Sequence, residues 1–106
     1  MIAMEYATDG ERKVARKLVN AALGQGFNIS VNDGEEWTVK RSVSTTEITR
    51  ALCTTGEDYI RVQHKDGTSV GVFQLIWGNA SDGSELIADH SDTIAANELY
   101  NIVYPN

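Results

Sequence analysis

The chain has 106 residues, 42% of them hydrophobic and 23% charged, and a formal charge of −6. That length suits one domain with one core, and that composition is ordinary for a globular protein, so disorder is not the default. No run approaches the roughly 18 consecutive apolar residues of a membrane span.

The charge is unevenly placed. All nine Lys and Arg residues precede position 66, where nine acidic groups balance them. Beyond Lys65 the only charged side chains are Asp66, Asp82, Glu85, Asp89, Asp92 and Glu98. Phosphate recognition needs clustered Lys and Arg, so this region disfavours nucleic acid and anionic membranes as partners. It is suited to a basic protein surface or a cation. The single Cys53 allows no intrachain disulfide, which fits a reducing cytoplasm. The first six residues lack the basic start of a secretory signal.

In chain order, Asp9 is placed to cap a first helix, with Glu11 in its first turn. Val14, Leu18, Ala21 and Ala22 recur at helical spacing, and Arg12, Lys13, Arg16 and Lys17 make the opposite face basic. Gly24 and Gly26 end it. Phe27, Ile29 and Val31 then alternate with polar residues, Asn32-Asp33-Gly34 marks a turn, and Trp37 and Val39 alternate on a returning strand. Ser44 and Glu47 have capping-box spacing before a short helix that buries Ile48, Ala51 and Leu52. Ile60 and Val62 lie on a third strand, which turns at Lys65-Asp66-Gly67.

The fourth strand, 70–77, is apolar on both faces: Phe73, Leu75 and Trp77 on one, Val70, Val72 and Ile76 on the other. Such a strand is usually central. A loop spans 78–84, a fifth strand spans 85–90, and Asp92 is placed to cap a last helix with Ala95, Leu99, Ile102 and Val103 inward. Pro105 follows that helix, where it does no damage. The order α-β-β-α-β-β-β-α predicts a single α+β domain over 1–106. Its mostly antiparallel sheet has four to five strands and carries three helices on one face.

The stretch Val31-Asn32-Asp33-Gly34-Glu35-Glu36-Trp37-Thr38-Val39-Lys40-Arg41-Ser42 resembles a family of small uncharacterised proteins encoded by tailed bacteriophages and prophages. Thr54-Thr55-Gly56-Glu57-Asp58, Trp77-Gly78-Asn79-Ala80 and the stretch from Leu86 to Asp92 are similar to later motifs of that family. The likeness runs from about Ala21 to about Ala95. It implies a mobile-element origin and the cytoplasm of a bacterial host, and it carries over no catalytic residue.

Asp89-His90-Ser91-Asp92, with Asp82 and Glu85 before it, offers the ligand types of a divalent metal. Strand alternation sets Asp89 and His90 on opposite faces, and the spacing matches no H-E-x-x-H or calcium loop. The structural reading is therefore preferred. No G-x-S-x-G surrounds Ser84, Ser91 or any other serine, so pairing one with His64 or His90 has no motif behind it. Cys53 follows the buried face of a short helix, where cysteines are usually inert packing. No glycine-rich phosphate cradle is present. The basic face of the first helix reads as solvated, although it could pair with the acidic region of a second copy, so a homodimer stays open. Trp37 and Trp77 read as core.

The expectation is a non-catalytic accessory protein, without cofactor or metal, that binds a host or phage protein. Its contact surface is expected at Asn79, Asp82, Glu85, Asp89, His90 and Asp92. Two alternatives are a DNA mimic that blocks a nucleic-acid-binding defence enzyme, and a small hydrolase using a metal at Glu85, Asp89 and His90.

Overall fold

The computed structural model describes residues 7–105; the expectation about the first six residues lies outside them. The elements are α1 (Asp9–Gly24), β1 (Asn28–Asn32), β2 (Trp37–Ser42), α2 (Thr45–Arg50), β3 (Glu57–Gln63), β4 (Ser69–Ile76), β5 (Ile87–His90) and α3 (Ile94–Val103). The strands form one antiparallel sheet in the order β2-β1-β3-β4-β5. The class is α+β, in the element order that the periodicities predict.

All three helices lie on one face of this sheet. Ile29, Val31, Ile60, Val62, Phe73 and Leu75 point into that layer from the strands and are fully buried. Leu18, Val19 and Ala22 of α1, Ile48 of α2 and Leu99 of α3 meet them, also fully buried. Each fully buried aliphatic or aromatic side chain contributes about 1.5–3 kcal/mol, so this layer is the main source of stability. α3 comes so close to β4 that a Cβ built on Gly71 would lie 2.9 Å from Cβ of Ala96. No helix among the described residues is long and apolar enough to cross a membrane.

Several local expectations need correction. Thr8, not Asp9, caps α1, and Glu11 returns the bond in a full capping box. Thr93, not Asp92, caps α3, with its Oγ accepting from the Ala96 amide at 3.1 Å. Of the predicted reciprocal pair at α2, the structure shows the Ser44 half, which accepts from the Glu47 amide. Ile102 is 47% exposed instead of inward, and Ala96 takes a buried place on α3.

The strands differ too. β4 is interior but not buried on both faces, because Val72, Gln74 and Ile76 point away from the helices and stay half-buried. Val70 joins the core at a register shift. Trp77 lies one residue beyond β4 and is half-buried against the core.

Trp37 is the largest departure. A register shift pairs Val31 with Val39 but Asn32 with Trp37, so Thr38 is the extra residue of a bulge. Val39 faces the core, and Trp37 turns to the helix-free face. There the Arg61 guanidinium stacks over its ring, 4.4 Å from the centroid.

Candidate functional site

The connection from β4 to β5 carries Asn79, Asp82 and Glu85, all exposed. Its path is closed by two short turns, with the Gly83 amide donating to the Ala80 carbonyl at 3.0 Å and the Leu86 amide to the Gly83 carbonyl at 3.2 Å. Oδ1 of Asp82 accepts from the Ser84 amide at 2.9 Å, a local turn that holds the Asp82 carboxyl below its ordinary value. Gly83 has φ of 80°, and a Cβ there would lie 2.5 Å from the Gly10 carbonyl oxygen and 2.7 Å from Cγ2 of Val14. Only glycine satisfies both the backbone angle and the contact.

Three side chains from distant parts of the sequence anchor this connection. Glu11 is 1% exposed. Its Oε1 accepts from the Thr8 amide at 3.1 Å, and its Oε2 accepts from the Gly78 amide at 2.6 Å. The Thr8 hydroxyl donates to the Ser81 carbonyl at 2.7 Å. From α3, the Tyr104 hydroxyl donates to the Gly83 carbonyl at 2.5 Å. One buried carboxylate thus caps α1 and also fixes the start of the loop.

Beneath the loop, the Trp77 indole donates to Oδ2 of Asp58 at 2.7 Å, and the Cys53 amide donates to the same oxygen at 2.8 Å. Asp58 is fully buried and its other oxygen has no protein partner. Burial pushes its carboxyl up, against the pull of those two donors. Burial likewise pushes the Cys53 thiol up, helped by the nearby Asp58 and Glu11 charges. Cys53 therefore lacks the lowered pKa of a reactive thiol, in a backbone conformation with φ of 62°.

Asp89, His90 and Asp92 lie at the other end of β5, roughly 10–13 Å of strand away from the loop. They do not converge. Asp89 is exposed on the helix-free face beside Gln74. His90 points the other way, with its ring 5.8 Å from that of Phe73 and 4.5 Å from that of Tyr100. Its Nδ1 lies 2.9 Å from the Ser91 carbonyl, a contact that makes this nitrogen the donor. Asp92 is exposed and accepts from the Asn97 side chain at 3.0 Å. Among the described residues, no group of three or more His, Cys, Asp or Glu side chains is placed to hold a metal ion.

Sequence reasoning placed the acidic loop but missed its anchors. Thr8-x-x-Glu11 has capping-box spacing and could have identified the first of them. Nothing local pairs Glu11 with Gly78, which lie 67 positions apart. No protein-family model matches the chain, and no significant match occurs among the curated proteins or the solved structures compared with it.

Proposed function

We propose that this chain is a non-catalytic accessory protein that docks a basic surface of a host or phage protein through the loop 78–85. The supporting observation is the anchoring of that loop. Glu11, Thr8 and Tyr104 hold its backbone, while Asn79, Asp82 and Glu85 remain in solvent. A loop fixed before binding loses little conformational entropy on docking. Carboxylates with no basic residue following them in sequence steer a basic partner and raise its association rate. The resemblance of its motifs to those of phage-encoded proteins supports a partner in the cytoplasm of an infected or lysogenic bacterium. Asp89 and Asp92 contribute to the field rather than to the contact, since they sit at the far end of β5.

The test uses tagged wild-type protein and Asp82→Lys with Glu85→Lys as parallel baits in lysate from such cells. A specific partner is expected on the wild type and lost from the double variant. Its association rate with the wild type should fall as salt rises, because exposed charges are screened beyond ~8 Å at physiological ionic strength. Equal capture by both baits, or equal salt slopes, would rule out the loop as the contact.

A further inference from the structure

The helix-free face of the sheet has a charge and shape pattern that the proposed loop contact does not use. Such faces often stand in water in antiparallel sheets. This one is not uniformly polar: Trp37, Tyr59, Val72 and Ile76 are all half-buried on it. Its charges are segregated across the strands. Lys40 on the edge strand β2, with Arg61 reaching over Trp37, makes that side basic, while Arg41 reaches to the β3–β4 turn and donates to the Lys65 carbonyl at 2.6 Å. Asp89 on the opposite edge strand makes the other side acidic. Shallow depressions mark both sides, one lined by Trp37, Lys40, Arg41 and Arg61, the other by Tyr59, Val72, Gln74 and Asp89.

We infer that this face is an isologous interface with a second copy of the same chain, built on Arg61 stacked over Trp37 in one copy and Asp89 in the other. The strand order makes the face self-complementary. β3 lies in the middle of β2-β1-β3-β4-β5. A two-fold axis running along β3, in the plane between two stacked sheets, places each β2 over the other copy's β5 and each β1 over its β4. An axis parallel to the strands also preserves height along them. Trp37, Asn32, Tyr59, Gln74 and Asp89 form one cross-strand row. Trp37 of one copy therefore meets Asp89 of the other, and the guanidinium already stacked on that indole faces the carboxylate. Tyr59 packs against its own symmetry mate at the axis.

Glu57, on β3, is an acidic group close to the axis. Hydrogen bonds from Tyr59 and Gln74 hold its carboxylate toward β4 in each copy, which separates the two symmetry mates. Aligned packing of two twisted sheets, about 30° apart, accommodates this arrangement. Overlaps of about 13 Å where β2 meets β5, about 16 Å where β1 meets β4 and about 23 Å along β3, at about 4.8 Å strand spacing, give roughly 400 Å² per copy in projection. That is the lower end of specific interfaces, so the dimer should be micromolar rather than permanent.

Sedimentation equilibrium from about 5 to 200 µM would test this. Reversible association from 11.6 kDa toward twice that mass is expected for the wild type. Asp89→Lys and Lys40→Glu should each raise the dissociation constant about tenfold or more. Combining Asp89→Lys with Arg61→Glu should restore much of the loss, as only a direct pair across the two-fold does. Lys40 is exposed, so its variant keeps the test sharp if the Arg61 change harms folding. Asp82→Lys with Glu85→Lys should leave association unchanged, which separates this interface from the loop contact. A wild type that stays monomeric at 200 µM would overturn the inference. So would a dimer indifferent to Asp89→Lys, or a monomer that instead binds a single-stranded oligonucleotide at Trp37.

Discussion

At Asp58 the fold sets a carboxylate against its own desolvation. Both donors to it come from the segments it joins, the turn at Cys53 and the indole of Trp77. Because its carboxyl is raised above the ordinary 3.8, protonation favours the folded state. The stability from this group is present at low pH and is lost as pH rises through the raised value. Asp66 and Asp82, lowered by backbone amides, act in the opposite sense, but Asp58 is not among the charges acting on them, so they do so alike in wild type and Asp58→Asn. Asp58→Asn can keep its oxygen on both donors while removing the titration. Urea unfolding from pH 7 down to 4 should therefore show wild type gaining stability relative to Asp58→Asn as pH falls. Parallel curves would mean that Asp58 does not titrate differently in the fold. Trp77→Phe retains most of the ring packing and deletes the donor, and it should cost on the order of 1–3 kcal/mol in the same assay at neutral pH.

The elements themselves were largely legible, and their ends were not. Each misplaced cap has an Asp beside a Thr, at Thr8-Asp9 and at Asp92-Thr93, and both residue types cap well. At α3 the choice is tertiary, because the Thr93 hydroxyl also donates to the Val70 carbonyl at 2.8 Å. Thr93→Ala should accordingly destabilise the protein by about 1 kcal/mol or more, whereas Asp92→Ala should change it by only a few tenths. Chemical denaturation of the two variants decides between the caps. Trp37 was misplaced for a different reason. Strict alternation sets it on the face of Val39, and a bulge at Thr38 reverses it; a period of two cannot register an inserted residue. The junction of α1 with the loop is equally invisible to local pattern. A Cβ on Gly10 would lie 2.5 Å from the Asp82 carbonyl carbon. Gly10→Ala should cost about 1–3 kcal/mol as the loop is forced off the helix. Faster hydrogen exchange at the Gly78 and Gly83 amides would report the detachment.

Across the whole molecule, the acidity concentrated after Lys65 is distributed over several places: the β3–β4 turn, the anchored loop, the end of β5 and the surface of α3. The candidate site was legible as composition, through Asp82 and Glu85, and not as geometry, because strand alternation and a four-residue β5 separate those residues from Asp89 and Asp92. The Glu11 contact has a kinetic meaning as well. Gly78 lies 67 positions downstream and the Ser81 carbonyl 73 from Thr8, so each of these bonds closes a long loop that contains most of the sheet. Contacts of such separation form late on a folding route. Glu11→Gln should then speed unfolding and leave the refolding rate nearly unchanged, as stopped-flow chevrons would show. A refolding rate that fell in step with stability would place the contact in the nucleus instead. The carboxylate that holds the loop is in that sense a latch, last to engage and first to release. During synthesis, it must wait as a solvated charge until more than half the remaining chain has emerged from the ribosome.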